Sequence, residues 1–596
     1  MTTSRPPHID ASSASLEEWQ KLAEKTLKGQ PLSALDHRNE DGITHGALFT
    51  AADRVEGMSD ALSAQGARRW VIAQYLEPEA DAAVLNRAIL DEVEGGTERL
   101  IITADQNPYI LPDAMDGVMA DAISISFDAA ENPGDAAHAL TTIWANQNTP
   151  AAQARGHLGI DVIGDVLTGR SVAAVAQAKM QVWIDELMPV AAEWPELGLF
   201  TLGGMRLHSF GLTSAQELAA SLSHMVALMR MMEASGQQVE DAAARIEINI
   251  AMDADLYGSI TKARAARVVM DRLYQSLGLR SDELSRRMRG VTSERMMSGL
   301  DRDTNILRNG TAMLAMGLSG LGQITCLPHD WLLGSTAMSR RVARNAHHVL
   351  ADEAQLSHVA DPAQGSYYLD AATHDLAQAA WRLFQQIEEQ GGIFAALDNG
   401  MLAGWADAAD ADRKARVNQG EEALLGVTIH PLRGVVETGG TAISGTAINC
   451  LNGRSGLRGG PRRPAAPWEG LRLEFQEAMP RCLMVDVGGN GGSAASASRW
   501  FNAVGIDGAV MTARDAADAR SIIASARPDV LVLGGDDEQI DDDELEGIAA
   551  VLPAAIFAAD QDADMHAVFR AILESLMDAS GGTPPDRNTT GQGVTS

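Results

Sequence analysis

The sequence predicts an α/β protein of two units: an N-terminal (β/α)8 barrel of the TIM type and a C-terminal, doubly wound, flavodoxin-like sheet. Three observations predict it. Short apolar runs alternate with helical patterns about eight times between Trp70 and Leu369, which is the signature of a closed parallel barrel. A more regular alternation of strand and helix fills about 110 residues after Trp468, as a doubly wound sheet requires. Between the two lies Gly439 to Pro467, rich in Gly, Arg and Pro, a composition that rarely packs as helix or strand.

These features divide the 596 residues into a helical arm (1–40), the barrel (41–400), a helical and then Gly/Arg/Pro-rich linker (401–470), the sheet unit (471–579) and a tail (580–596) whose Gly/Pro/Thr content predicts disorder. The arm opens with a capping box, Ser15-x-x-Glu18. Leu16, Trp19, Leu22, Ala23 and Leu27 then share one helical face before Gly29 and Pro31 end the helix. Such a helix ahead of a domain is a docking arm, for its own barrel or for another chain. The barrel strands are expected at Trp70–Leu76, Leu100–Thr103, Ala122–Phe127, Leu158–Ile163, Leu197–Leu202, Ile246–Met252 and Gln323–Leu327, with an eighth near His358–Ala360. Ala-rich helices such as Ala215–Ala234 and Ser259–Leu277 separate them. In the linker, Arg458-Gly-Gly-Pro-Arg-Arg-Pro464 is either a solvated loop or a basic cluster that docks on an acidic face. The sheet unit reads as strands Cys482–Val487, Gly508–Met511, Val530–Leu533 and Ala555–Ala558, with helices Ser493–Val504, Asp515–Ala526, Asp542–Val551 and Met565–Met577.

Composition bounds the function. Hydrophobic residues at 45% and charged residues at 21% are globular values. Aromatics are only 4%, so Ala, Leu, Ile, Val and Met must fill the cores. A net charge of −33 argues against nucleic acid as a partner, because a polyanion is repelled. Cys326, Cys450 and Cys482 form no CxxC pair, disulfide framework or zinc spacing, which fits a reducing, cytoplasmic compartment. Met1 to Ser15 is polar and lacks the apolar run of a secretory signal, and no apolar run approaches about 18 residues, so no membrane span is expected. The methionines Met225, Met229, Met231 and Met232 fall at helical spacing and read as core filler. His347 and His348 are adjacent on a helical pattern and point in different directions, and the histidines as a set give no metal spacing.

The most visible motif is Val485-Asp-Val-Gly-Gly-Asn-Gly-Gly-Ser493, where a strand turns into a helix. Glycines there let a backbone approach a ligand, and a helix amino terminus attracts anions. Gly489-x-Gly491-x-x-Ala494 loosely meets the dinucleotide fingerprint, but the acidic residue expected at the end of the next strand is missing, since Asp507 precedes that strand. A plain tight turn is the simpler reading, with a dinucleotide-binding regulatory module as an alternative.

Four segments resemble the methylmalonyl-CoA mutase family. Glu40-Asp-Gly-Ile-Thr-His-Gly-Ala-Leu-Phe-Thr50 resembles its GI…PLYT segment, Lys262-Ala-Arg-Ala-Ala-Arg267 its K-x-R-A-A-R helix, Arg341-Val-Ala-Arg-Asn345 its R-I-A-R-N, and Asp361-Pro-Ala-Gln-Gly-Ser-Tyr-Tyr368 its D-P-x-x-G-S-Y-Y. They are well separated and keep the family's order. The resemblance implies an adenosylcobalamin-dependent radical rearrangement that interconverts methylmalonyl-CoA and succinyl-CoA. It implies a barrel that encloses the acyl-CoA and a flavodoxin-like domain that presents the corrin. The cobalt takes an axial imidazole from D-x-H-x-x-G, with a carboxylate behind it to fix its orientation.

This sequence departs from that pattern where the chemistry lies. Its turn reads Asp486-x-Gly488-x-x-Gly491, with glycine in place of the histidine; aligned on the strand instead, Asp486 stands where the family has a lysine. Beyond His430 the only histidine is His566. Laid on the family pattern without a gap from Ala178 to Gly204, the arginine that pairs with the substrate carboxylate falls on Gln181. The Tyr-His pair beside the reacting carbons falls on Met205-Arg206. The Gln-Asn pair falls on Gly159-Ile160, with Asp161 kept. The resemblance therefore implies the small (beta) chain of the family's heterodimers. It has no catalytic residue, no metal ligand and only a degenerate cofactor loop at Asp486, Gly488 and Gly491. Its partner is the catalytic large (alpha) chain, which binds the adenosylcobalamin of the holoenzyme. The alternative within the family is an active acyl-CoA mutase of different specificity.

Overall fold

Parallel strands buried on both faces need an apolar outer side against helices and an inner side that fills the barrel. The structure, a computed structural model, describes residues 15–56, 69–103, 106–128, 130, 132–281, 284–432, 437–438, 441–442, 460–478, 480–487, 492–506, 509–535, 555–558 and 564–580. Eight parallel strands close the barrel: β1 (Val71–Leu76), β2 (Arg99–Thr103), β3 (Ser124–Asp128), β4 (Gly156–Ile160), β5 (Leu197–Gly203), β6 (Ile246–Met252), β7 (Met288–Thr292) and β8 (Gln323–Thr325). β8 closes the ring, with Ile324 opposite both Ile72 and Gly290. Outward residues such as Ile72, Leu76, Leu100, Ile102 and Ile125 join helix residues Leu85, Ile89, Leu140, Ile143 and Trp144 in one apolar layer.

Seven of these strands lie on the expected apolar runs. The eighth does not. His358–Ala360 is no strand; His358 ends a single 3-10 turn, and the missing strand is Met288–Thr292. Its sequence, Met-Arg-Gly-Val-Thr, hides it. Arg289 points into the barrel and Gly290 packs against Met316 and Leu321, so neither adds to an apolar run.

The arm begins with the expected helix, Leu16–Thr26, and its capping box is formed. After Trp468 a four-stranded parallel sheet follows: β9 (Cys482–Val487), β10 (Ala509–Ala513), β11 (Val530–Gly535) and β12 (Ala555–Ala558), in the order β10-β9-β11-β12. Helices Gly492–Ala503, Ala516–Ala526 and Met565–Ser580 accompany it. Phe475, Trp500, Phe501 and Phe569 gather around Trp468, which stacks on Trp500 at 5.0 Å. The expected helix over 542–551, the turn residues Gly488 and Gly491, Cys450, and residues 581–596 lie outside the described residues. So does the side chain of Asp486.

The linker's basic cluster docks. Arg462 pairs with Asp407 at 2.7 Å and covers the ring of Phe210, while Arg463 turns inward. Among the described residues no helix is long and apolar enough to cross a membrane.

Candidate functional site at the barrel axis

The motif residues split into those that hold the outer helices and those that face the axis. Lys262 pairs with Glu217 and donates to the Ala251 carbonyl at 2.9 Å, tying its helix to β6. Arg264, fully buried, donates to both oxygens of Asp361 at 2.9 and 2.8 Å and to Asp370 at 2.7 Å. Two motifs distant in sequence, K-x-R-A-A-R and D-P-x-x-G-S-Y-Y, thus meet as one charge-assisted cluster. Arg267 donates to the Ser319 carbonyl at 2.6 Å. Arg344 donates to Glu92 at 2.5 Å and lies over Gly95, where any Cβ would collide with its guanidinium. All of these contacts brace helices around the barrel wall.

The axis carries two ionic layers. Near the amino ends of the strands, Glu247 of β6 lies between Arg99 of β2 and Arg289 of β7, with Arg289 Nε at 2.9 Å. Arg99 also donates to Ser126 at 2.8 Å and to Gln323. Burial opposes ionisation of Glu247, but the two guanidiniums outweigh it and hold its carboxyl well below the usual range. Toward the carboxyl ends, Arg206 reaches Asp161 at 3.1 Å and Asp128 at 3.5 Å. Burial works against that guanidinium's charge, and the two carboxylates more than restore it.

An apolar cluster runs from between the two layers toward the carboxyl end of the barrel. Tyr75, Ile101, Met205, Val291, Leu327 and Trp331 form one buried cluster, with the rings of Tyr75 and Trp331 5.1 Å apart. Leu473 completes it from helix Ala466–Ala478, which leads into the carboxy-terminal sheet. Glu469 fixes that helix. Its buried carboxylate accepts from Ser298 Oγ at 2.9 Å, from the Gly299 amide at 2.6 Å and from Arg463 at 2.8 Å, while Arg463 also donates to the Met297 carbonyl at 3.1 Å.

The opposite end is open. A cavity of about 640 Å³ lies at the amino ends of the strands, lined by Arg99, His157, Glu196, Glu247, Arg267 and Gln323 among others. The Glu247 layer forms its inner wall. His157 accepts from the Gly159 amide at 2.9 Å through Nδ1, and burial lowers its pKa to about 4.

Of the residues singled out from sequence, Gly159, Asp161, Met205 and Arg206 converge at the mouth. Gly159 takes φ +63 where β4 shifts register against β5. Gln181 does not converge with them. It lies in the middle of helix Ala173–Glu193, where it donates to Asp185 at 3.0 Å and to Ser235 at 2.6 Å. The ungapped register is therefore wrong by position 181, and nothing follows from the residue there. His566 lies edge-on to Trp468 at 5.7 Å, and burial lowers its pKa.

Sequence reasoning missed Arg99, Glu247, Arg289, Trp331 and Glu469. The first three carried a signal: a polar or charged residue alternating with apolar ones in a barrel strand, as in Ile246-Glu-Ile-Asn-Ile250, faces the axis. Among the described residues no group of three or more His, Cys, Asp and Glu is placed to hold a metal ion.

Comparison with known proteins adds the lineage. The family model described as methylmalonyl-CoA mutase matches residues 109–435. The methylmalonyl-CoA mutase small subunit of Streptomyces virginiae is 33% identical over 448 residues, covering 70% of this chain and 71% of that one. The small subunit from Propionibacterium freudenreichii subsp. shermanii is 26% identical over 452 residues, covering 71% and 70%. A methylmalonyl-CoA mutase of Cereibacter sphaeroides is 25% identical over 457 residues, covering 70% and 64%.

Proposed function

The chain belongs to the methylmalonyl-CoA mutase family, and on that premise we propose that it is the non-catalytic small subunit of a two-chain mutase. In this reading the large chain binds adenosylcobalamin and carries out the interconversion of methylmalonyl-CoA and succinyl-CoA, and the four-stranded sheet is a flavodoxin-like cobalamin-binding domain that has lost its ligand.

The observation that carries the reading is the apolar cluster at the carboxyl end of the barrel. Substrate enclosed in a barrel needs room and reacting groups at the carboxyl ends of the strands. Here Met205, Trp331 and Leu473 stand there, joined to Tyr75, beside a buried Arg206–Asp161 pair. The residues present do not fit a corrin either. Gly488 and Gly491 have no side chain to offer cobalt an imidazole, and His566, the only imidazole beyond His430, is packed against Trp468. The four kept motifs support the same reading, because those of their side chains described above brace the wall and leave the axis to other residues.

The test is a titration of the purified chain with adenosylcobalamin, followed by an assay with methylmalonyl-CoA. The corrin spectrum is expected to stay unchanged and no succinyl-CoA to form. A shifted corrin spectrum or turnover by this chain alone would falsify the proposal.

A further inference from the structure

Two neighbouring helices of the barrel wall are apolar on more than one side, and only one of them is covered. A helix that is hydrophobic all round needs packing all round. Helix Ser214–Ala234 has it. Its inner side meets the strands, and helix Tyr367–Glu389 lies over its outer side. Leu376, Ala380, Phe384 and Ile387 of that outer helix join the barrel core, and Ser223 donates to Glu388 at 2.5 Å.

Helix Ala173–Glu193 stands beside it, tied by Gln181 to Ser235 at 2.6 Å. Its core side holds Ala176, Met180, Ile184 and Leu187. The opposite side, where a surface helix ordinarily carries charge, holds Val175, Ala178, Val182 and Pro189, all exposed. Val175 and Val182 are 47% and 51% exposed, and Val172, at the start of the helix, is 62% exposed. From Val172 to Val182 the single charged residue is Lys179. Exposed valines also lower helix propensity, so the helix itself gains nothing from them. The outer layer stops at the short helix Ile393–Asp398, which leaves a cavity of about 390 Å³ against Ala174, Gln177 and Met231. Among the described residues nothing lies over the strip.

The strip and the cavity walls offer roughly 400 Å² of apolar surface, the size at which exposed patches mark contact sites and about half of the ~800 Å² that each side of a stable interface buries. Lys179, Arg170 and Arg230 stand around it as a polar rim, Arg170 with Asp165 at 2.5 Å and Arg230 with Glu388 at 2.9 Å. A second copy of this chain is a poor occupant, because it would bring another −33 charges and no compensating ones.

We propose that the Val175–Val182 face of helix Ala173–Glu193 is a contact surface for the large chain of the mutase, which lays an apolar helix across it and continues the outer layer begun by helix Tyr367–Glu389. The inference rests on the two-chain reading above. The surface belongs to the rigid barrel wall, so it is ordered before the partner arrives and little ordering remains for the complex to supply.

The experiment is isothermal titration of the full chain against the large chain from the same organism, with size-exclusion chromatography of the mixtures. Val175→Glu combined with Val182→Glu is expected to weaken the complex at least tenfold. It should not lower the melting temperature of the isolated chain, since both side chains are exposed and glutamate is the better helix former. Val175→Glu alone should weaken the complex several-fold. Ala83→Glu, the same added charge at an exposed position of helix Ala82–Glu94, should change nothing. Full-strength binding by the double variant overturns the contact role while leaving the two-chain reading intact. Equal weakening by Ala83→Glu and Val175→Glu also overturns it, since added charge alone would then explain the loss. Failure of the unaltered chain to bind the large chain overturns both readings. A double variant that self-associates less but binds the large chain as before points to a second copy as the occupant, and overturns the proposal.

Discussion

The two ends of the barrel have opposite characters. Toward the carboxyl ends of the strands, an apolar cluster that includes Tyr75, Met205 and Trp331 is completed by Leu473 from outside the barrel. The base, at the amino ends, opens into a polar cavity of about 640 Å³. Between them stand two layers of buried ion pairs. Barrel enzymes do their chemistry at the mouth, and their lower ends serve stability. Here the apolar cluster stands at the end where such chemistry would lie. The wall is held independently of the axis, by Arg264 on Asp361 and Asp370 and by Arg344 on Glu92.

The largest test of this comparison is at the layer dividing the two ends. Glu247→Gln leaves Arg99 and Arg289 buried together without their carboxylate. The expected loss is about 4 kcal/mol, since removing one member of a buried ionic group leaves uncompensated charge. Replacing Arg99, Glu247 and Arg289 together by methionine should cost far less, because a buried ionic cluster and an apolar filling of similar volume are nearly equivalent. Guanidinium-chloride unfolding of the three proteins measures both values. Equal destabilisation in the two variants would mean that the layer does more than fill the axis.

The apolar cluster comes next. Leu473→Ala removes a side chain buried among Tyr75, Met205 and Trp331, and a loss of about 3 kcal/mol is expected from lost burial and the cavity left behind. The matching change at the base, Arg155→Ala, removes an exposed side chain that lines the open cavity and should stay within about 0.5 kcal/mol. Similar costs at the two sites would dissolve the distinction between a packed mouth and an open base.

Much of the fold was legible in the sequence, and the failures have physical causes. Apolar runs revealed seven strands because those strands bury both faces. β7 was hidden because Arg289 and Gly290 serve the axis and a neighbouring helix rather than an apolar run. The mouth was half legible. Met205, Arg206 and Asp161 came from the resemblance to the family pattern, and all three lie toward the axis. Gln181 does not, since an ungapped register carries no information on how many residues a βα loop uses before its helix. Trp331 and Glu469 were beyond reach. Each gains its role from a contact across the chain, Trp331 with Tyr75 and Glu469 with Ser298 and Gly299, and no local pattern encodes such a pairing.

The smallest expected effect separates wall from axis by pH. Besides His208, whose pKa burial also lowers, three histidines are buried without charge. His157 lines the base, where burial lowers its pKa to about 4. His224 and His347 lie in the wall, where burial lowers theirs to about 3. His347 accepts from Trp70 Nε1 at 3.0 Å through Nδ1, a bond that protonation there would break. In each case the unfolded imidazole binds a proton more readily than the folded one. Stability is therefore fully present above about pH 6.5 and falls as pH drops below that value. At pH 5 each group should cost about 2 kcal/mol, from roughly 1.36 kcal/mol per unit over a gap of about 1.5 units. Urea unfolding at pH 7 and pH 5 measures the difference, and His347→Gln should remove about 2 kcal/mol of it. His157→Gln should remove less than that if water entering the open base hydrates the protonated ring. An equal share for the two variants would show that His157 is as dry as the wall, although it lines the cavity.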